Sequence, residues 1–372
     1  MDLITSRAST ARQLWRNIPW PLLAMTLLIA ALGIWNLASA SRAAPTPIWR
    51  SQAWWLLVGL IACTGAMVLD YRYLLKLAYP AYGFVVVLLI VVLVKGRMAM
   101  GAQRWLDLGP MHLQPSELMK IAIILVMARF FHEDQHTREG YSLQQLWHPA
   151  LLLGLPVALV LKQPDLGTSL MIASVAGSIV LVAKVRWRSL LVLGAGGLVA
   201  AVLAWAHLLK DYQKRRVLTF LNPEGDLLGA GYHASQSLIA VGSGQEFGKG
   251  WGQGTQTQLS FLPEQHTDFV FSVLGEEHGF MGAVILIGLY LILLLMMIAV
   301  AATAREKFGS FLAIGIAAMI FWHVFVNIGM VTGLLPVVGV TLPLLSYGGS
   351  SLLTNMIGIG LLMNVAMRRH LF

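Results

Sequence analysis

The chain has 372 residues, 57% of them hydrophobic and 12% charged, with a formal net charge of +9 and a mean hydropathy of +0.72. Soluble domains carry about 25% charged residues, and a water-exposed fold cannot absorb this much apolar sequence. The composition excludes a soluble globular protein and predicts one all-α polytopic membrane domain over residues 1–372, since each helical crossing takes about 20 mostly apolar residues.

The first apolar stretch, 20–40, follows Arg7, Arg12 and Arg16 and ends at Ala38-Ser39-Ala40. That pattern resembles a signal peptide with a small-residue cleavage site. The apolar run is longer than the 7–15 residues of a usual signal core, so the stretch is expected to stay as a membrane anchor. Further apolar stretches lie at 52–70, 74–95, 117–132, 148–163, 167–184, 189–208, 270–301, 309–330 and 350–367. About ten crossings put both termini on one side. On that side the connections hold Arg72, Lys76, Arg129, Arg138, Lys184, Arg186, Arg188, Arg305 and Lys307, and the C-terminus adds Arg368 and Arg369. The positive-inside rule then predicts a multi-pass membrane protein with cytoplasmic termini. Part of the net charge follows from this bias, and no nucleic-acid partner is implied. The single cysteine, Cys63, sits in an apolar stretch. It has no internal partner and reads as packing.

The longest polar excursion, 209–269, is predicted to be an extracytoplasmic loop between spans 7 and 8. It contains Asn222-Pro223 and the glycine-rich run 248–254, while Tyr232, Leu238, Ile239, Trp251 and Phe261 argue for partial order. The connections on this side should be poor in cations. They hold Arg42, Arg50, Lys95, Arg97, Arg104, Lys162, Lys210, Lys214, Arg215, Arg216 and Lys249. One reading is a solvated surface. The other is a subset that binds an anionic head group, for which Arg forks and Lys point charges are suited.

Charges at span ends count as functional hypotheses, because desolvation is costly there. Glu117 and Lys120 share a helical face at the start of span 4; the plain alternative is a structural ion pair. Asp165 lies between spans 5 and 6. Asp268 opens span 8, Glu276 and Glu277 lie further in, and a regular helix would align Asp268 with Ser272 and Glu276. Pro110 and Pro115 flank the approach to span 4. The segment 341–351 carries Pro343, Gly348 and Gly349. It reads either as an ordinary outer loop or as a segment re-entering the membrane, which requires burial in protein or a cavity lining.

Five stretches in order carry a resemblance to a known family: Gly101-Ala102-Gln103-Arg104-Trp105-Leu106-Asp107-Leu108-Gly109 with Gln114-Pro115-Ser116-Glu117-Leu118-Met119-Lys120; Lys162-Gln163-Pro164-Asp165-Leu166-Gly167-Thr168-Ser169; Phe261-Leu262-Pro263-Glu264-Gln265-His266-Thr267-Asp268-Phe269-Val270-Phe271; Gly333-Leu334-Leu335-Pro336-Val337-Val338-Gly339; and Leu345-Ser346-Tyr347-Gly348-Gly349-Ser350-Ser351. The sequence resembles the SEDS family (shape, elongation, division and sporulation), and residues 331–340 look like its elongation, RodA-type members. The resemblance implies a peptidoglycan glycosyltransferase. Such an enzyme polymerises lipid II, a disaccharide-peptide on undecaprenyl pyrophosphate, into β-1,4 glycan outside the cytoplasmic membrane. It also implies a class B penicillin-binding protein as transpeptidase partner.

The residues suit that chemistry. Making a β link from an α-linked pyrophosphate inverts the anomeric carbon, so one displacement with one general base suffices. The leaving group is a weak base and needs positive charge more than a proton. Asp268 is the expected base, with His266 as the nearest alternative. Lys120, Arg104, Arg215 and Arg216 are the expected pyrophosphate contacts. Glu117 would orient Lys120, and Lys120 would alternatively pair with Asp268 and tune its pKa downward. Trp105 reads as a sugar or lipid contact, or as an interfacial anchor. Asp165, Ser346 and Tyr347 complete the expected substrate-binding set. No Cys/His set has metal-ligand spacing; a divalent cation, Mg or Mn, held between carboxylate and pyrophosphate is compatible with the residues. Two rival readings stand beside the enzyme. One is a lipid II flippase, and the other is a non-catalytic scaffold for the penicillin-binding protein.

Overall fold

The computed structural model describes residues 16–42, 46–99, 102–107, 109, 112–134, 140–222, 230–259, 261–262 and 264–369. Arg7, Arg12, Gly101, Leu108, Pro110, Arg138, Pro223 and Pro263, named above, lie outside them.

Ten helices occupy the ten apolar stretches in chain order: α1 (Trp20–Ala40), α2 (Ile48–Val68), α3 (Tyr71–Lys95), α4 (Pro115–Glu133), α5 (Trp147–Lys162), α6 (Leu166–Val182), α7 (Trp187–Leu203), then α11 (Val270–Thr303), α12 (Lys307–Val331) and α13 (Gly349–Arg368). At 1.5 Å per residue, a helix of about 20 residues matches a hydrocarbon core of about 30 Å. Eight helices are long and apolar enough to cross a membrane. Of the other two, α6 is apolar but 17 residues long, and α4 carries Glu117, Lys120 and Arg129. The chain is a polytopic helical membrane protein.

Burial sorts these helices. Nearly all of α13 is buried, and it packs chiefly along α2. There a Cβ on Gly360 would fall 2.3 Å from the Cys63 carbonyl oxygen. Small residues permit such close helix approach where apolar lipid gives no hydrophobic drive. Cys63 is buried in that seam, in keeping with a packing role. α4 and α12 lie against each other, with α6 beside both. α7 is peripheral: among its described residues only Ser189 is buried. Its exposed leucines and valines suit a lipid-facing surface.

Two elements cap one end of the bundle. A small antiparallel sheet, β1 (Arg97–Ala99), β2 (Ala102–Asp107) and β3 (His112–Leu113), joins α3 to α4. No strand was expected here; the ladder is too short to impose an alternating pattern. The Ser350 hydroxyl donates to the His112 carbonyl at 3.0 Å and accepts from the Gln114 amide at 3.1 Å, which ties the sheet to the start of α13. The excursion 209–269 forms the second cap, with helices α8 (Asp211–Leu221), α9 (Ala230–Ser243) and α10 (Thr255–Gln258). Of the residues expected to order it, Trp251 stacks on Trp35 with ring centroids 6.3 Å apart and lies under Arg42. On α9, Ser237 and Ala240 are buried against α11 while Leu238 and Ile239 are about half exposed.

α11 has 34 residues and would be about 51 Å long if straight. It is broken at Gly279, with φ 67° and ψ −163°, a conformation open essentially to glycine alone. A break frees backbone groups, and the 244–250 segment takes them up. The amides of Lys249 and Gly250 donate to the carbonyls of Glu276 and Glu277 at 3.0 Å each. Phe280 and Met281 donate to the carbonyls of Gln245 at 2.8 Å and Glu246 at 3.0 Å. Glu276 is fully buried and accepts from Lys249 Nζ at 2.8 Å, from the Gln256 amide and from Thr257. The expected common face of Asp268, Ser272 and Glu276 is therefore not formed. Helix α11 begins after Asp268, Ser272 pairs with Ser237, and Glu276 is consumed by the clamp on the break.

Residues 342–346 are buried, as the re-entrant reading requires. Leu344 and Leu345 approach α1 so closely that a Cβ on Gly33 would meet the Leu344 oxygen at 2.7 Å. The Tyr290 hydroxyl on α11 donates to the Pro343 carbonyl. A proline-broken segment thus packs against α1 about two turns from its Ala40 end, with its backbone partly paired to protein.

Candidate active site

Asp268 sits in the turn that leads into α11. The amides of Thr267, Asp268 and Phe269 all donate to the Glu264 carbonyl, at 3.1, 3.2 and 3.3 Å. Glu264 has φ 49° and Leu344, on the facing segment, has φ 65°. Left-handed backbone at non-glycine residues costs energy and persists where surroundings enforce it. The facing segment enforces it here. Ser346 donates to the Thr267 carbonyl at 2.5 Å and accepts the Leu342 amide at 2.8 Å, and the Tyr347 amide donates to the His266 carbonyl at 2.8 Å. Asn327 of α12 donates to the carbonyls of Asp268 at 2.9 Å and Val340 at 2.6 Å. Ser346 and Tyr347 thus support the turn through hydroxyl and backbone, and the Tyr347 and His266 rings lie 6.2 Å apart.

The Asp268 carboxylate has no hydrogen-bond or ion-pair partner among the described residues. A Cβ on Gly339, whose φ is 73°, would fall 3.2 Å from its Oδ2, so only glycine leaves this side of the carboxylate clear. Burial pushes the Asp268 carboxyl up to about 6; the charge of Glu264 adds to the rise, and Arg216 and Arg104 oppose it. A carboxyl near 6 is poised to accept a proton at neutral pH.

The opposing arginines belong to a second cluster. Asp165 caps the N-terminus of α6, accepting the Thr168 amide at 3.2 Å. It lies 3.5 Å from Arg104 Nε and accepts from Gln114 at 3.3 Å. Arg104, on β2, also donates to the Pro164 carbonyl at 2.5 Å. A cavity of about 110 Å³ is lined by Arg104, Asp165, Gln213, Arg216, Pro336 and Val338. Of the two arginines expected on α8, Arg216 lines this cavity and Arg215, also exposed, does not. Trp105 lies opposite Arg97 in the sheet, outside the cavity lining.

Lys120 is placed elsewhere. It is 1% exposed, and its Nζ lies 2.8 Å from Glu117 Oε1 and 2.8 Å from His323 Nε2. The alternative pairing with Asp268 is thus not formed; Glu117, one turn away on α4, supplies the carboxylate. His323, Asn327, Gln114 and Gln213 are absent from the expected site. The signal for the first two was present: His323 and Asn327 are polar residues four apart within an apolar span, and such residues usually face the bundle interior. Among the described residues no three His, Cys, Asp or Glu side chains converge on one point.

The profile of the cell cycle protein family FtsW/RodA/SpoVE matches residues 17–371. The chain belongs to the FtsW/RodA/SpoVE family. Over 292 residues, 78% of each chain, this FtsW/RodA/SpoVE member is 47% identical to the peptidoglycan glycosyltransferase MrdB of Escherichia coli K12. It is 35% identical to the rod shape determining protein RodA of Thermus thermophilus, whose crystal structure superposes with a TM-score of 0.72 over 95% of this chain and 98% of that one. A chain from a peptidoglycan synthase complex, in a study of how polymerization and crosslinking are coordinated, superposes with a TM-score of 0.82 at 38% identity, with the same coverage. The family match includes both polar clusters.

Proposed function

We propose that this chain is a peptidoglycan glycosyltransferase that polymerises lipid II at the outer face of the cytoplasmic membrane during cell elongation, with Asp268 as general base. The observation that carries the mechanism is the unpartnered, proton-ready Asp268 carboxylate held on a braced turn beside an arginine-lined cavity. The acceptor sugar hydroxyl gives its proton to Asp268 as its oxygen attacks the anomeric carbon of the donor. The bond from that carbon to the pyrophosphate oxygen breaks on the opposite face, and undecaprenyl pyrophosphate leaves with its charge met by Arg104 and Arg216. Configuration inverts in one step, so the second carboxylate used by glycoside hydrolases is not needed. Asp165 orients Arg104. The likeness to MrdB and RodA supports the elongation reading.

A class B penicillin-binding protein is the proposed partner, in line with the likeness to a synthase-complex chain. An apolar groove of about 360 Å³ between α11 and α12, lined by Tyr290, Leu291, Leu294, Phe321, Phe325 and Ile328, offers a surface for a partner's membrane span. Cytoplasmic termini, supported by the Lys/Arg distribution, place both polar clusters outside.

Reconstitution of the purified protein with lipid II, with and without the partner, tests the proposal. Glycan product that rises with the partner is expected. Movement of lipid II across the bilayer without product would establish the flippase instead. A folded complex that makes no product would leave the scaffold.

A further inference from the structure

The Lys120 cluster is built by α4 and α12, and neither Lys120, Glu117 nor His323 is among the residues that line the arginine-lined cavity. An ammonium has only protons to offer, so at 2.8 Å the Nε2 of His323 must be the acceptor. The imidazole proton then sits on Nδ1, which faces the Thr341 carbonyl at 3.1 Å. A neutral ring protonated at Nδ1 is the one state that satisfies both contacts. Asn327 follows one turn later on the same face of α12, and its amide holds the carbonyls of Asp268 and Val340. Two side chains on one helix face therefore grip the consecutive carbonyls of Val340 and Thr341. One of them also holds the buried cation, and the other holds the turn that bears the base.

We infer that His323 is a positioning residue of the polymerase site, fixing Lys120 relative to the Asp268 turn through the shared 340–341 segment. This rests on the glycosyltransferase reading and adds a residue to it. Glu117 alone cannot do this work, because it lies on the same helix as Lys120 and carries no information about where α12 and the 341–348 segment stand. His323 supplies that cross-helix tie.

Two substitutions test the role. His323→Gln keeps an oxygen that accepts from Lys120 and an amide that donates to Thr341; His323→Leu removes both. With lipid II and the partner, His323→Leu should lower kcat by about 30-fold while KM moves by less than about threefold, the scale expected when a reacting group is misplaced. His323→Gln should recover to within about threefold of wild type. On a Lys120→Met background, His323→Leu should cost less than about twofold more, because both changes act through one cation. Equal costs on both backgrounds would overturn the inference, as would full turnover in a folded His323→Leu protein. A loss that follows thermal unfolding and is not recovered by Gln would reduce His323 to a structural residue and overturn it too. An activity-independent readout separates this from the function itself. In ¹⁵N-histidine-labelled protein, the signal lost in His323→Gln should report a neutral ring protonated at Nδ1. An imidazolium, or a proton on Nε2, sinks the pairing whatever the activity. An inactive wild-type complex with the expected tautomer would sink the glycosyltransferase reading while supporting the pairing.

Discussion

The Ser346 hydroxyl donates to the carbonyl of Thr267, the residue before Asp268, at 2.5 Å. Nearly 80 residues of sequence separate them, yet this contact and the Tyr347 amide on His266 set where the carboxylate stands. The proposed chemistry lies on one segment and its support lies on the other.

Replacing Asp268 with Asn keeps the shape and removes the proton acceptor. Turnover should fall by about 10²–10⁴-fold, the usual contribution of a general base, while lipid II and partner binding persist. The sign for stability runs the other way. A carboxyl raised to about 6 favours the folded state at low pH, and that advantage is lost as pH rises through about 6. At neutral pH the ionised group costs the fold up to about 3 kcal/mol. Asp268→Asn should therefore unfold at the same temperature as wild type or higher. Near wild-type polymerisation by this variant, with His266→Gln as the inactive one, would reassign the base.

Turnover should also carry the Asp268 titration. The ionised form is the base, so kcat/KM should decline as pH falls through about 6, by about tenfold per unit below it. The measurement is a pH profile of kcat/KM, with the residual activity of Asp268→Asn as reference. A wild-type limb that persists unchanged in Asp268→Asn belongs to another group.

Lys120→Met leaves Glu117, itself only 6% exposed, charged and unpaired. Breaking a buried pair from one side costs about 3–5 kcal/mol, so a drop in unfolding temperature in detergent is expected along with lost turnover. Adding Glu117→Gln should recover most of the stability and none of the turnover. Turnover that returns with stability would make the pair purely structural.

A reporter inserted at 223–229 should read as extracytoplasmic, and reporters at either terminus as cytoplasmic. The Lys/Arg distribution motivates this. A cytoplasmic reading from the insertion would put the polar clusters on the wrong side for outer-face synthesis.

The ten helices were legible because lipid demands long apolar runs and leaves little else for such runs to be. Asp268 stood out in the sequence because a carboxylate at the start of a span needs a reason, and the fold places it on a braced turn; its role as base is the proposal. The spatial sorting of the other charges was not. Lys120 and Arg104 are equally basic in sequence, but only the tertiary fold buries one between Glu117 and His323 and leaves the other on a cavity wall. Arg215 and Arg216 are adjacent, and only the docking of α8 separates their directions. The break at Gly279 was hidden for a different reason: apolar sequence runs on beyond Glu276-Glu277-His278 without a change of period, and the groups that compensate it come from residues 244–250.

That compensation bears on how the protein is made. Residues 244–250 leave the ribosome before residues 276–281 do, so the strip that caps the exposed amides and carbonyls exists before the gap it covers. An unpaired backbone group in lipid costs several kcal/mol. Span 8 is therefore expected to enter the bilayer as a docking step between a preceding segment and a half-helix, where an unbroken helix would simply partition. A protease cut or an insertion within 244–250 should be felt downstream, as failed membrane integration of a helix that the change never touched.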